Sequence, residues 1–301
     1  MKSGIINVYK EKGFTSFDVV AKLRGILRTK KIGHTGTLDP DAEGVLPVCI
    51  GKATRVCDLL TDRDKVYEAV MLLGVDTDTQ DISGEILKTE AVTCSEDAVR
   101  EAVRSFIGDY DQIPPMYSAL KVNGKKLYEL AREGKTVERK PRRVQIFSIE
   151  ILEVNLPRVR MQVHCSKGTY IRTLCHDIGR QLGCGACMES LLRTKVGMFT
   201  LDHAWKLSQI EAMTEAEKIQ DQIISVEELF EDHRKVRTSL AFDVVVHNGN
   251  PIEERMLEES LPENTERLRV YDSKGTFIGI YQYSEERKKF KPVKMFYENN
   301  Q

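Results

Sequence analysis

Apolar and polar residues alternate, or recur at helical spacing, along most of the first 200 residues of the chain. Apolar runs or alternation typical of strands predict strands at about 5–8, 45–50, 65–73, 144–154 and 158–165. The segment 65–73 is a clear case, because every second residue from Lys65 to Leu73 can lie on one face of a sheet. These strands are too irregularly spaced for a repeating strand–helix–strand unit.

Helical spacing of apolar residues, with a capping residue before it, predicts three helices. Thr15-Ser16 precedes the first, Ser95 the second, and the third covers about 170–182 and ends at Gly183. The apolar residues at this spacing are Val19, Val20, Leu23, Ile26 and Leu27 in the first helix, and Val99, Val103, Phe106 and Ile107 in the second. Helices and strands thus mix without strict alternation, which predicts an α+β fold with a mixed, largely antiparallel sheet flanked by helices and loops.

The last part of the chain has a different pattern. Short apolar runs at about 240–246, 268–271, 277–280 and 292–294 alternate with turn residues such as Gly275. Such closely spaced short strands predict a small β-barrel that begins near residue 236. We therefore expect two domains, 1–235 and 236–301.

Composition is that of an ordinary globular protein. The 301 residues are 41% hydrophobic and 30% charged, and no apolar run approaches the ~20 residues needed to span a bilayer. The amino terminus becomes charged at Lys10-Glu11-Lys12, unlike a signal peptide. Seven scattered cysteines fit reduced thiols. These features predict a cytoplasmic protein.

The net charge of −1 conceals a segregated chain. A solvated face is the ordinary explanation of a charge run, but two basic stretches beside an acidic loop fit a polyanionic partner better. One stretch runs from Lys22 to Lys31, and 211–232 carries eight acids against Lys218 alone. The other, 121–143, has three acids and nine basic residues, which are Lys121, Lys125, Lys126, Arg132, Lys135, Arg139, Lys140, Arg142 and Arg143.

The acidic loop at 33–48 holds Asp39, Asp41 and Glu43 close together. A calcium loop is excluded by spacing, since the twelfth position from Asp39 is Ile50 and not a glutamate. Pro40 forces Asp39 into an extended conformation. A carboxylate held in this way can act as a nucleophile or base, although it can also simply cap a turn.

Two further segments carry candidate chemistry. Tyr67 lies in the charged strand entry 64–68, as a core residue or as a platform for stacking. Arg172 lies in the first turn of the third predicted helix, where the helix dipole disfavours a cation. An arginine in that position is better explained if it faces a fixed carboxylate or a phosphate.

A zinc site is the alternative for Cys184-Gly185-Ala186-Cys187, with Cys165, Cys175 and His176 nearby in sequence. A strong zinc pattern would need a second closely spaced pair. Cys175 and His176 are adjacent in a helix and point in different directions. The sequence therefore predicts no metal site.

These segments, taken in order, resemble the bacterial tRNA pseudouridine-55 synthase (TruB) family. The resemblance covers about residues 3–200 and is carried by GHTGTLDPDAEGVLPV, KVYEA, IPPMYSALKVNGKKLYELAREG, CSKGTYIRTLCHDIG and LLRTKVGMF. It implies an enzyme that isomerises the uridine at position 55, in the T-loop of tRNA, to pseudouridine. It also implies a pseudouridine synthase fold and, less strongly, a small RNA-binding domain of the PUA type at the C-terminus.

Motif matching assigns roles to individual residues. The resemblance implies that Asp39 is the nucleophile, Tyr67 the active-site aromatic and Arg172 the partner of the carboxylate. The residues implied to bind substrate are His34, Tyr170, Leu191 and Lys65. The basic segment 113–143 matches an insert that closes over the RNA arm.

The chemistry agrees with this implication. Isomerisation breaks a C–N bond and forms a C–C bond without redox change or hydrolysis, so no cofactor is expected. We expect tRNA as the partner of a monomer that needs no obligatory protein partner and no membrane. Two alternatives stay open: a protein that only binds or folds RNA, and the guide-RNA-dependent relatives that share the G-T-L-D-P core. A pure binder has no use for the set Asp39, Tyr67 and Arg172.

Overall fold

A computed structural model describes residues 2–122, 124–262 and 265–297 of the chain. In these ranges the strands are β1 (Gly4–Lys10), β2 (Ile32–His34), β3 (Glu43–Ile50), β4 (Lys65–Leu73), β5 (Val75–Thr77), β6 (Ile86–Thr89), β7 (Gly108–Gln112), β8 (Lys121–Val122), β9 (Lys125–Lys126), β10 (Arg142–Asn155), β11 (Arg158–Cys165), β12 (Ala186–Val196), β13 (Phe199–Thr200), β14 (Arg234–Arg237), β15 (Arg267–Tyr271), β16 (Phe277–Ser284) and β17 (Lys289–Met295).

The α-helices are α1 (Ser16–Ile26), α2 (Cys57–Thr61), α3 (Glu96–Arg104), α4 (Leu127–Arg132), α5 (Ile171–Leu182), α6 (Leu207–Glu215) and α7 (Asp243–His247). Short 3-10 helices cover Gly51–Val56, Leu201–His203, Ile219–Gln222, Glu228–Phe230, Leu240–Phe242 and Glu254–Met256.

A nine-stranded sheet forms the centre of the fold. Its main path runs β1-β3-β12-β4-β11-β10-β7, with β2 paired to β3 and β13 to β12. Every pairing is antiparallel except that of β3 with β12. Residues of β4 are alternately buried and half-buried, as their sequence predicts. The predicted α+β fold with a mixed, largely antiparallel sheet is confirmed.

Helices cover the sheet through separate apolar clusters. The predicted N-terminus of α1 is present as a capping box, in which Thr15 and Asp18 satisfy each other's backbone amides. The helix α5 ends at Gly183, whose φ of 78° is the left-handed conformation of a helix stop. By contrast, α3 ends at Arg104, so Phe106 and Ile107 lie beyond the helix that their spacing predicts.

The C-terminal β-barrel predicted by the sequence is wrong in two respects. The four strands run in the order β14-β15-β16-β17, and within the described residues this small sheet does not close on itself. The segment predicted as a strand at 240–246 is helical, covering the 3-10 turn Leu240–Phe242 and α7. The other three predicted strands lie in β15, β16 and β17.

Side-chain bonds explain why 240–246 is helical. Asp243, in the first turn of α7, accepts hydrogen bonds from the Thr238 hydroxyl (2.9 Å) and the Ser273 hydroxyl (2.7 Å). The helix buries Val246 and leaves Val244 69% exposed, so the run of valines does not lie on one face of a sheet. A short apolar run cannot be assigned from periodicity alone. The place of this strand in the small sheet is taken by β14, which the sequence did not predict.

The small sheet packs against the larger one. Ile280 and Phe296 share an apolar cluster with Ile5 and Val45 of the central sheet. The Lys294 ammonium also lies 2.6 Å from the Asp58 carboxylate. The predicted boundary at 235/236 falls within β14 and stays a prediction. Among the helices of the described residues, none is long and apolar enough to cross a membrane.

The packing of the two sheets predicts that two isoleucines on strands contribute differently to the free energy of unfolding. Ile280 is 2% exposed and Ile86 is 64% exposed. We expect Ile280→Ala to lower the free energy of unfolding by about 2–5 kcal/mol, since it leaves a cavity. The matched change Ile86→Ala should stay within about 0.5 kcal/mol of the wild type. Urea unfolding measures both, and equal effects would contradict this account of the shared core.

Candidate active site

Asp39 lies in the loop between β2 and β3, directly after a residue that is fixed to α1. The backbone N–H of Leu38 donates to the Ser16 hydroxyl at 2.9 Å, and Leu38 itself is buried. The carbonyl of Asp39 then accepts from the N–H of Ala42 at 3.1 Å, which closes a turn. The carboxylate is therefore presented from a backbone that is bonded on both sides.

Arg172 binds the Asp39 carboxylate with two of its nitrogens. Nε lies 3.0 Å from Oδ2, and an Nη donates to Oδ1 at 3.3 Å. Arg172 stands in the first turn of α5 and its side chain is 6% exposed, against 39% for that of Asp39. The predicted partners are thus in contact, and the carboxylate remains accessible on its other side.

Further contacts fix the guanidinium of Arg172. It donates to the carbonyls of Thr79 (3.0 Å) and Tyr117 (2.9 Å), and it lies 3.2 Å from the Asp81 carboxylate. Tyr117 belongs to the basic segment 113–143, so that segment contacts the site directly. A planar donor with this many partners has little freedom to turn away from Asp39.

Burial and the neighbouring positive charges shift the pKa of Asp39 in opposite directions. Burial raises the pKa of the carboxyl group above its usual range, and the nearby Asp81 acts in the same direction. The positive charges of Arg172 and Lys10 lower it. The cations therefore offset part of the effect of burial and favour the ionised form of the carboxyl group.

Tyr67 lies in β4 and is 8% exposed. It stands directly opposite Arg193 of β12 in the sheet. Burial raises the pKa of the Tyr67 hydroxyl, whereas Arg193 lowers it by its charge and by a side-chain hydrogen bond. Tyr67 shares an apolar cluster with Leu38, so its ring lies beside the loop of Asp39.

His34 ends β2 and faces the same loop. Its Nδ1 accepts a hydrogen bond from the N–H of Gly36 at 3.3 Å. Burial lowers the pKa of the imidazole, and the charge of Arg193 lowers it further. A neutral ring fits this contact, because only an unprotonated nitrogen can accept.

Tyr170 and Leu191 line neighbouring parts of the fold. Tyr170 is the N-cap residue of α5, and its backbone N–H and carbonyl are both bonded to the side-chain amide of Gln112, at 2.7 and 3.0 Å. Leu191 lies opposite Ala69 of β4 and packs against the same cluster as Tyr67. Both side chains are half-buried.

Lys65 has a different position from the other predicted site residues. Its ammonium donates to the carbonyls of Thr61 (2.6 Å) and Arg63, at the end of α2. Burial lowers its pKa to about 8, and Arg193 acts in the same direction. These contacts join α2 to the start of β4, and its role in substrate binding stays a prediction.

Lys10 is a site residue that the sequence analysis missed. It is fully buried at the end of β1, and its ammonium donates to the carbonyls of Ala42 (2.6 Å) and Pro40 (3.0 Å). Burial lowers its pKa to about 8, although Asp39 opposes the shift. In the sequence this residue merely begins a charged turn, and no local pattern separates it from Lys12.

Arg193 was missed as well, although it lies within a quoted motif. It is 1% exposed, and its Nε donates to the carbonyl of Val45 at 2.7 Å. Gly44 allows the backbones of β3 and β12 to lie this close together. It has φ of 104°, and a Cβ there would lie 2.2 Å from the Arg193 carbonyl oxygen. The feature that could have identified Arg193 is an arginine inside an apolar strand that lies beside a glycine-containing loop.

The basic segment 113–143 forms the hairpin β8–β9 and α4. Several of its charges are paired: Arg143 binds Asp111 with two nitrogens at 3.1 Å each, and Lys125 and Lys135 both reach Glu133. Lys140 and Arg142 are exposed. Its contact with RNA stays a prediction.

Neither metal alternative is supported by the arrangement of side chains. Among the residues that the structure describes, no group of three or more His, Cys, Asp or Glu residues could hold a metal ion. All seven cysteines are free, and Cys184 and Cys187 are both buried. Within the acidic loop, Glu43 accepts a hydrogen bond from the Tyr9 hydroxyl at 3.2 Å, and Asp41 is exposed.

The families and relatives that this chain resembles in sequence are consistent with the geometry of the site. Residues 24–171 match the family described as TruB family pseudouridylate synthase (N terminal domain), and residues 172–231 match the tRNA pseudouridylate synthase B C-terminal domain. A tRNA pseudouridine synthase B of Lachnoclostridium phytofermentans is 55% identical, over 98% of this chain and 99% of the relative. One of Clostridium acetobutylicum is 46% identical, over 97% and 99%.

A solved structure gives the same fold. An H/ACA RNP bound to a substrate RNA containing 2'-deoxyuridine contains a chain with a TM-score of 0.73 and 26% identity, covering 99% of this chain and 86% of that one. The expected fold and enzyme class are confirmed. With these matches along nearly its whole length, the chain belongs to the TruB family of pseudouridylate synthases and is an isomerase.

Proposed function

We propose that this chain isomerises the uridine at position 55, in the T-loop of tRNA, to pseudouridine, with Asp39 as the nucleophile. The contact of Asp39 with Arg172 carries the proposal, because it places an accessible carboxylate against a buried cation in a pseudouridylate synthase. The two curated relatives are both named for tRNA, which supports the same substrate.

The reaction sets the demands on the site. The C–N bond between the sugar and N1 breaks, the base turns, and a C–C bond forms between the sugar and C5. The proton on C5 is lost and N1 gains one, so atoms and electrons balance without a cofactor. A carboxylate can assist by attacking the sugar or base, or by stabilising positive charge on the sugar.

Arg172 and Tyr67 serve this carboxylate in different ways. Arg172 holds Asp39 ionised and fixes its direction through two nitrogens. Tyr67 presents an aromatic ring beside the loop and holds the base. The target nucleotide must leave its stack to reach them, and His34, Tyr170 and Leu191 are proposed to contact it and its neighbours.

A protein that only binds RNA is the second candidate function. Basic segments and a small C-terminal sheet would suit it equally well. The buried Arg172 beside Asp39 favours catalysis, because burying a cation against a carboxylate has no use in surface binding. We propose that binding is a second property of the same chain, through the segment 113–143 and a PUA-like unit from about residue 236.

Dependence on a partner is a further alternative. The H/ACA structure is that of a ribonucleoprotein, in which a substrate RNA is bound. The curated relatives cover 97–98% of this chain and are matched over 99% of their own length, so their similarity extends along the whole chain. We propose that the chain acts as a monomer in the cytoplasm without a guide RNA or an obligatory protein partner.

Release of tritium tests the proposed function. In tRNA transcribed with tritium at C5 of uridine, the protein alone should release the label of one uridine per tRNA, because C5 loses its hydrogen when it bonds to the sugar. A transcript with cytidine at position 55 is the control and should release none. Release from that control would contradict the T-loop site, and no release from the first transcript would contradict catalysis without a partner.

Arg172→Lys should be nearly as damaging to turnover as Arg172→Ala. Lysine keeps the charge but loses the planar fork that grips the carboxylate with two nitrogens. We expect a loss of at least about 100-fold in kcat for both variants, since misplacement by about 1 Å has that cost. Single-turnover tritium release measures it. A lysine variant with a rate close to wild type would mean that only the charge of Arg172 matters.

A further inference from the structure

Arg193 is a buried cation that holds backbone rather than a carboxylate. Among the described residues no ion pair involves it, and its side chain is one of the largest that is fully buried. Burial of an unpaired charge is costly unless hydrogen bonds compensate it. The groups that accept hydrogen bonds from Arg193 should therefore indicate the role of this charged residue.

The hydrogen bonds of Arg193 join the two sides of the chain segment that carries Asp39. Nε donates to the carbonyl of Val45 at 2.7 Å, and an Nη lies 3.4 Å from the carbonyl of Gly36. Asp39 lies between these two positions in the chain. One planar group thus links a loop residue two positions after β2 to a residue inside β3, on either side of Asp39.

The same guanidinium connects two other site residues. Arg193 stands opposite Tyr67 in the β12–β4 pair, and its charge lowers the pKa of the Tyr67 hydroxyl. The peptide group of Gly36 accepts from Arg193 through its carbonyl and donates to His34 through its N–H. Tyr67, Arg193, Gly36 and His34 therefore form one connected set around Asp39.

We propose that Arg193 is a positioning residue for the isomerisation, which holds the Asp39 loop, the Tyr67 hydroxyl and the His34 ring in one arrangement without touching the substrate. The inference rests on the proposed function. It gives Arg193 a different task from Arg172, which contacts the carboxylate itself. Substitution of Arg193 should impair the chemical step and leave RNA binding largely intact.

Three variants test this proposal. Arg193→Met removes the charge and the donors, and Arg193→Lys keeps the charge but cannot reach both carbonyls. Arg158→Met is the control, because Arg158 also lies in the central sheet, where it binds the Glu189 carboxylate through Nε (2.9 Å) and an Nη (2.8 Å). Each protein is examined for folding by circular dichroism and urea unfolding before kinetics.

The expected kinetic result separates kcat from KM. For tritium release from labelled tRNA, we expect kcat of Arg193→Met to fall at least about 100-fold, with KM within about threefold of the wild type. Arg193→Lys should recover at least about tenfold of that loss. Arg158→Met should keep the wild-type kcat and KM.

Titration of His34 tests whether the charge of Arg193 lies beside the imidazole, as the proposed arrangement requires. The charge of Arg193 lowers the pKa of His34, so Arg193→Met should raise it, and Arg193→Lys should raise it less. Other titratable groups beside this strand include the thiols of Cys49, opposite Gly33, and Cys57, and the ammonium of Lys31, which directly precedes the strand. NMR measures the imidazole signals, with His34→Gln to assign them.

The outcomes distinguish the inference from the function on which it rests. A folded Arg193→Met with kcat within about threefold of an active wild type would overturn the inference alone. So would equal losses of kcat, tRNA affinity and stability in both Arg193 variants with an unchanged His34 titration. A wild-type protein that releases no tritium would overturn the proposed function instead.

Discussion

The ion pair between Asp39 and Arg172 depends on a loop that cannot stabilise itself. The loop lies outside the strands, and its backbone carbonyls need hydrogen-bond donors from other parts of the chain. The Lys10 ammonium donates hydrogen bonds to the carbonyls of Pro40 and Ala42. The Arg193 guanidinium donates to those of Gly36 and Val45. With its backbone bonded in this way, the loop can present one carboxylate to Arg172 while the side chain stays 39% exposed.

The order of strands in the central sheet brings these groups together. Lys10 of β1 pairs with Gly44 of β3, Gly44 with Arg193 of β12, and Arg193 with Tyr67 of β4. One register line across four neighbouring strands thus carries two buried cations, the glycine that lets the strands approach, and the aromatic residue. The sheet acts as the support for the site, and α5 adds Arg172 from outside that line.

Patterns among neighbouring residues predict those parts of this arrangement that depend only on residues close together in sequence. Alternation gives β4 with Tyr67 on its buried face, and a cation in a first helical turn indicates that Arg172 needs an anionic partner. Lys10 and Arg193 escape such analysis, because their role depends on pairing between strands far apart in sequence. The helix at 240–246 escapes it for a related reason, since bonds of Asp243 to Thr238 and Ser273 decide its conformation.

Replacement of Asp39 by asparagine tests the central claim most directly. Asparagine keeps the size and turn-forming ability of aspartate, so Asp39→Asn should fold and bind tRNA like the wild type, whereas a turn cap would lose only about 1 kcal/mol or less. Without the negative charge, single-turnover pseudouridine formation should fall by several orders of magnitude, to the limit of detection. Asp41→Asn and Glu43→Gln, in the same loop, should remain active. Pseudouridine formation by Asp39→Asn at a rate comparable to the wild type, or equal loss in all three variants, would contradict the account.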